Sequence, residues 1–236
     1  MKKFKKLAAL LLSVVCISIS LSACGNAEES IMLTLVKGNI AEIYLGKFDA
    51  TYLKLVESTE EESTQAYLEN MLYQAEYFAM YWGIFETEYD ESFDDLDENL
   101  QNEIIELMKE IYGKSKYEVQ SAVKQDDNTY AVKVVIEPID IMEKASEIYL
   151  SETYEPLNAF WDKYAEVDFT TISDEDYLAY MNEYGEIILQ LVKEQLPNLG
   201  YGDSKSQSLQ VETVDELWQI NDDDWNILDS YLVTYP

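Results

Sequence analysis

Histidine and arginine are both absent from the 236 residues, so all 16 basic side chains are lysine, and cysteine occurs only twice. Without histidine there is no Ser-His-Asp triad, no imidazole-bound zinc and no side chain whose ordinary titration falls near neutrality. Without arginine, no guanidinium fork is present to clamp a phosphate or carboxylate through two parallel hydrogen bonds. The 47 acidic residues outweigh the lysines to give a formal charge of −31, and a polyanion of that size repels a phosphate backbone. Nucleic acid is thereby excluded as a partner. Nothing in the sequence points to a cofactor.

What is present starts with a charge asymmetry. Lys2, Lys3, Lys5 and Lys6 precede an uncharged run from Leu7 to Leu21 that closes on Ser22 and Ala23. This is the three-part layout of an export signal. The apolar run is shorter than the ~20 residues of a spanning helix, and the polar stretch Gly25-Asn26-Ala27-Glu28-Glu29-Ser30 behind it has no positive flank. Leu21-Ser22-Ala23-Cys24 resembles the lipobox of bacterial lipoproteins. The resemblance implies cleavage before Cys24, a diacylglycerol on its sulfur and residence on the outer face of the bacterial cell membrane. Each buried methylene contributes ~0.8 kcal/mol, so two acyl chains anchor stably where one does not. Residues 1–23 then form a signal peptide and residues 24–30 a lipid-anchored tether, with an extended reach of ~20 Å. Loss of the leader removes Cys16 and four lysines, leaving 213 residues with a formal charge of −35. With Cys24 alkylated, no disulfide, thiolate zinc site or thiol nucleophile can form.

Beyond the leader the hydrophobic period changes along the chain. Met32, Leu35, Val36, Ile40 and Ile43 share one helical face, closed by Gly46 and Lys47. Ser58 to Glu61 has the spacing of a capping box. Leu68, Leu72, Ala75, Ala79 and Trp82 continue the stripe to Gly83, widened by Tyr67, Met71 and Phe78. Residues 86–99, dense in acids, read as an exposed loop before Leu100, Ile104, Leu107, Met108 and Ile111 return to helical spacing. From Tyr117 the period becomes two. Tyr117, Val119 and Val123, then Tyr130, Val132, Val134 and Ile136, alternate with polar residues around a turn-rich segment, which predicts a hairpin ended by Pro138.

The same order of helices and hairpin recurs. Ala145 to Tyr149 and, after Pro156, Leu157, Phe160, Trp161 and Tyr164 are helical; Ser173 caps a helix carrying Tyr177, Met181, Tyr184, Ile188, Leu191 and Val192. Leu209 to Val211 and Leu217 to Ile220 predict a second hairpin, with a final strand or helix from Trp225 to Val233. The expected fold class is α+β, with helices on one face of antiparallel strands. Its two similar halves are 31–142 and 143–236. A tandem duplication is one reading: Glu42-Ile43-Tyr44-Leu45 recurs as Glu147-Ile148-Tyr149-Leu150, and Glu103-Ile104-Ile105 as Glu186-Ile187-Ile188, at unequal offsets of 105 and 83.

Tyr117-Glu118-Val119, followed by Tyr130-Ala131-Val132-Lys133-Val134 and Pro138-Ile139, resembles uncharacterised lipoproteins of gut Firmicutes. That resemblance implies a small α+β domain of unknown function, similar to the cone-shaped helix-plus-sheet domains that bind ligands or partners, and it carries no catalytic residues with it. Ser121-Ala122-Val123-Lys124 matches Ser-x-x-Lys in letters only, since the chemistry needs a helix where this pattern is a strand. Asp94-Asp95, Asp174-Glu175-Asp176 and Asp222-Asp223-Asp224 offer oxygen ligands for calcium, but none has the EF-hand layout, and helix capping or solvation explains each. No metal site is assigned.

Nineteen tyrosines and four tryptophans are the remaining lead, since such rings serve both cores and contact surfaces. Tyr67, Tyr177, Tyr184, Trp82 and Trp161 sit at core spacing, whereas Tyr201, between two glycines, and Trp225, after three aspartates, are the candidate ligand or partner contacts. The expected function is a non-catalytic, extracytoplasmic binding module held to the membrane through Cys24, with a protein or a cationic ligand as its partner. Two alternatives stand beside it. One is a surface lipoprotein capturing a sugar or cationic peptide; the other is a surface hydrolase working through carboxylates alone.

Overall fold

A computed structural model describes residues 26–85, 91–214 and 217–236. In chain order the elements are α1 (Asn26–Leu45), α2 (Ala50–Leu55), α3 (Glu60–Tyr81), a short 3-10 turn (Phe93–Asp95) and α4 (Glu98–Tyr112). The hairpin β1 (Lys116–Asp126) and β2 (Thr129–Glu137) follows, then α5 (Ile141–Leu150), α6 (Glu155–Tyr164) and α7 (Asp174–Gln195). The chain closes with β3 (Lys205–Val214), β4 (Leu217–Ile220) and α8 (Asp222–Leu232). The fold is α+β, with one antiparallel sheet in the order β1-β2-β3-β4.

The chain divides into two compact units. The first holds residues up to 70, 112–138 and 202–233; the second holds 71–111, 139–201 and 234–236. Both are built from alternating stretches of chain, so their limits differ from the 31–142 and 143–236 halves expected above. The repeated tetrapeptide does not repeat its surroundings. Both copies end a helix, but Ile43 and Tyr44 are buried whereas their counterparts Ile148 and Tyr149 are half-buried, and Leu45 is half-buried whereas Leu150 is exposed.

In the first unit, Tyr130, Val132, Val134, Ile136, Leu209 and Val211 form the buried face of the sheet. β2 meets β3 with Tyr130 opposite Val211 and Val132 opposite Leu209, which joins the two hairpins into one sheet. α1 and α8 pack on these strands. Met32, Leu35, Val36, Ile40 and Ile43 of α1 are buried, as their spacing predicts, and so are Leu228 and Leu232 of α8. Glu28 and Glu29 lie in the first turn of α1, where carboxylates favour the positive end of the helix dipole. Glu28 also accepts a hydrogen bond from Tyr130 and pairs with Lys124 at 3.6 Å. The helix thus begins at Asn26, inside the segment expected to be an extended tether.

α2 lies close against α1. A methyl group added at Gly38 would sit 1.9 Å from the Tyr52 ring, so only glycine admits that contact. The Tyr52 hydroxyl donates to the buried Glu42 carboxylate at 2.5 Å. Asn70, also buried, donates to the Ile43 carbonyl at 3.0 Å and so satisfies one of the open acceptors at the end of α1.

Three local expectations need correction. The capping box of α3 is Thr59 with Glu62, one residue later than the Ser58–Glu61 spacing. The Thr59 amide donates to Glu62 at 2.9 Å, and the Glu62 amide donates to the Thr59 hydroxyl at 3.2 Å. Leu68 is 40% exposed, because the buried line of α3 runs instead through Ser63, Asn70 and Met71. On β1 the register shifts between Val119 and Ser121, and this bulge reverses the faces beyond it: Ala122 is buried and Val123 is 52% exposed.

The second unit is helical. Met71, Ala75, Phe78 and Ala79 of α3, Ile104, Met108 and Ile111 of α4, and Ile188, Leu191 and Val192 of α7 are all buried. Gly83, at φ +66, ends α3; the Ile84 amide reaches back to the Ala79 carbonyl at 2.9 Å and the Gly83 amide to Met80 at 3.1 Å. The acidic stretch after it, described from residue 91, is not a bare loop. Phe93 and Leu96 are buried, and Asp95 accepts hydrogen bonds from the Ser92 amide and hydroxyl at 2.8 and 2.9 Å.

Candidate functional site

In the second unit α6 and α7 pack side by side, and aromatic rings fill the seam between them. Pro156 stands in the first turn of α6, where its missing amide hydrogen costs nothing. Ser173 caps α7 by accepting from the Asp176 amide at 3.1 Å, with Asp174, Glu175 and Asp176 in the first turn. Leu157 and Phe160 turn inward from α6, and Tyr177, Tyr180, Met181 and Tyr184 recur at helical spacing along α7.

Phe160 is the hub. Its ring centre lies 5.0 Å from Trp161, 4.8 Å from Tyr164, 5.0 Å from Tyr180 and 5.4 Å from Tyr184. From the loop between the helices, Phe169 meets Tyr180 edge-on at 4.8 Å. The inner rings are buried, but the outer layer is open: Trp161 and Phe169 are each 42% exposed and Leu178 39%. Tyr164, Tyr177 and Tyr180 are half-buried. The result is a face of rings supported from below by other rings, each pair contributing about 0.5–1.5 kcal/mol beyond its buried area.

Polar groups fix the edges of this face. Glu183 accepts from the Lys163 ammonium at 2.5 Å and from the Tyr164 hydroxyl at 2.8 Å. Its carboxyl is held below its ordinary value, first by the Lys163 hydrogen bond, then against the opposing effect of burial by that of Tyr164. Lys163 is raised by the same contact, and its ammonium also lies 4.9 Å from the centre of the Tyr164 ring. Tyr184 donates to the Trp82 carbonyl at 3.0 Å and lies 3.3 Å from the Tyr149 hydroxyl. Burial, foremost, pushes its phenol upward, so it stays protonated. Through Tyr149 and Trp82, 5.6 Å apart, the rings continue to Tyr81 and Tyr235.

The residues singled out by sequence fall elsewhere. Trp225, on α8 of the first unit, is half-buried and stacks on Tyr44 at 5.9 Å; Tyr44 stacks in turn on Tyr112 at 5.5 Å and donates to Asp229 at 2.6 Å. Tyr201, in the second unit, is half-buried, and its backbone bridges to Ile139. They belong to different units. Cys24 lies outside the described residues. Trp161 is the reverse case: its spacing reads as core, yet it is exposed. The compositional signal was in the chain, since residues 151–186 hold eight aromatic and ten acidic residues with a single lysine.

One member of each acidic cluster makes a structural contact, Asp95 as described above. Asp176 accepts from the Ser173 hydroxyl at 2.6 Å, and Asp224 accepts from the Gln210 amide at 2.8 Å and from Gln207 at 3.1 Å. Among the described residues, no group of three acidic or thiol side chains stands close enough to hold a metal ion. An open groove of about 540 Å³ along α4 is lined by Asn102, Glu103, Glu106, Leu107, Lys109, Glu110 and, from α7, Lys193. There Glu103 is paired with Lys193 at 2.6 Å and Glu106 with Lys109 at 2.7 Å.

No protein-family model matches the sequence, and no curated protein does. Among solved structures, the crystal structure of a candidate lipoprotein of Bacillus subtilis, YcdA, is similar. The TM-score is 0.53 and the identity 18%, over 86% of this chain and 56% of that one. The likeness is one of fold. This chain spans little more than half the length of that protein. No described helix is long and apolar enough to cross a membrane.

Proposed function

We propose that this protein is a lipid-anchored, extracytoplasmic binding module without catalytic activity, and that the aromatic face of α6 and α7 is its contact surface. One observation carries the reading: Trp161 and Phe169 stand open on a bed of packed rings. Exposing large rings forgoes burial worth about 25 cal/mol per Å², and clustered exposure of this kind marks contact surfaces. The absence of histidine and arginine from the sequence supports the non-catalytic half. Cys24 supports the anchoring half, since the lipobox resemblance makes it the lipid-bearing residue. The described body begins two residues later, with α1 at Asn26.

A second reading is capture of a sugar, which the open Trp161 ring favours, because an indole face stacks on a pyranose. Cell fractionation tests the anchor. Cys24→Ala moves the protein from the membrane to the soluble fraction; a variant that stays with the membrane overturns lipidation at that residue. The contact surface is tested separately, by cross-linking from Phe169.

A further inference from the structure

Resting on the reading that this face binds, we infer that its partner presents a lysine- or arginine-rich polypeptide segment, and that the face is built for cations rather than for neutral glycans.

Three observations on the α6–α7 segment carry this. The first is local charge. Asp162, Glu166 and Asp168 precede Phe169 in the chain, and Asp174, Glu175 and Asp176 precede Tyr177, while Lys163 is the one basic residue in 151–186. Asp168 is fixed in place: hydrogen bonds from Thr170, at 2.7 Å from the hydroxyl and 3.0 Å from the amide, hold its carboxyl below its ordinary value.

The second is that the face already seats one cation of its own. The Lys163 ammonium is 2.5 Å from Glu183 and 4.9 Å from the Tyr164 ring centre, a carboxylate and a phenol face working on the same charge. The third is the chemistry of the open rings. Trp161 and Phe169 are each 42% exposed, and ammonium and guanidinium groups bind the electron-rich faces of such rings, while a carboxylate or phosphate is repelled by both ring and rim. A pyranose gains from the rings but makes no use of six acids. A cationic chain uses both.

The test is calorimetric titration of the full-length chain with a short lysine-rich peptide, its glutamate-rich counterpart and a neutral hexasaccharide. The lysine peptide binds, weakens as salt rises and loses about tenfold in affinity with Trp161→Ala and with Phe169→Ala. Asp223→Asn, in the first unit, leaves its affinity unchanged. Both ring variants are checked for native circular dichroism, and Trp161→Phe, which keeps an aromatic face, retains most of the affinity. No binding of the lysine peptide overturns the inference. So does an equal loss with Asp223→Asn, which means diffuse attraction to an acidic body. Binding of the hexasaccharide in place of the peptide, lost with Trp161→Ala, removes the cationic partner but keeps the face as a binding site. Failure of all three probes, with no cross-link from Phe169, removes both.

Discussion

Single side chains set the tightest constraints in this protein. At Gly38 a methyl group would meet the fully buried Tyr52 ring at 1.9 Å, and that ring is pinned by its hydrogen bond to Glu42. Gly→Ala inside a helix ordinarily gains up to about 1 kcal/mol. Overpacking a core costs about 1–3 kcal/mol and more when the neighbour cannot move. The clash wins here, so Gly38→Ala lowers the urea midpoint; a raised midpoint contradicts the packing of α2 on α1.

Glu183 gives the pH counterpart. Its folded titration lies below the ordinary carboxyl value of 4.5 because Lys163 and Tyr164 donate to it. A depressed acid contributes stability that is whole above the ordinary value and lost as pH falls through the folded one. The stability difference between wild type and Glu183→Gln therefore shrinks from neutral pH into acid. Urea midpoints measured across that range check it, and a constant difference contradicts it. The missing residue types were fully legible from sequence, because absence needs no fold. The exposure of Trp161 was not: helical spacing tells which residues share a face, not whether a neighbouring element covers it.

At the level of elements, period and capping chemistry located both hairpins and the longer helices, because both signals are local, but they missed the six-residue α2 and left the α8 segment open between strand and helix. What they could not locate were offsets of one residue. The α3 box uses Thr59 and Glu62 although Ser58 and Glu61 have the same spacing, and a β-bulge leaves no mark in an alternating pattern. The bulge makes a direct prediction. Ala122→Asp buries a carboxylate against the sheet and costs several kcal/mol or prevents folding. Val123→Lys, on the open side, changes stability by no more than about 0.5 kcal/mol. Thermal unfolding of the pair decides the phase of β1, and the opposite ranking returns it to unbroken alternation. The Ser173 cap is a second test. Ser173→Ala leaves the Asp176 amide without its acceptor and costs about 1 kcal/mol; an unchanged midpoint contradicts the cap.

On the scale of the whole molecule, the compact units alternate along the sequence, and no local signal carries that information. The pairing of Thr129 with Glu212 joins hairpins separated by the stretch that contains α5 to α7. A hydrophobic period fixes which side of a strand is buried, and many strands could meet it. The function we propose rests on something more local, a cluster of rings left open on an acidic segment, together with the lipid anchor we propose at Cys24. The most direct test places a photoreactive phenylalanine analogue at Phe169 in the native envelope, with the same analogue at the exposed Val123 as control. The account predicts a discrete adduct from position 169 that Trp161→Ala abolishes, and none from position 123. No adduct at 169, or one matched at 123 and indifferent to Trp161→Ala, contradicts it.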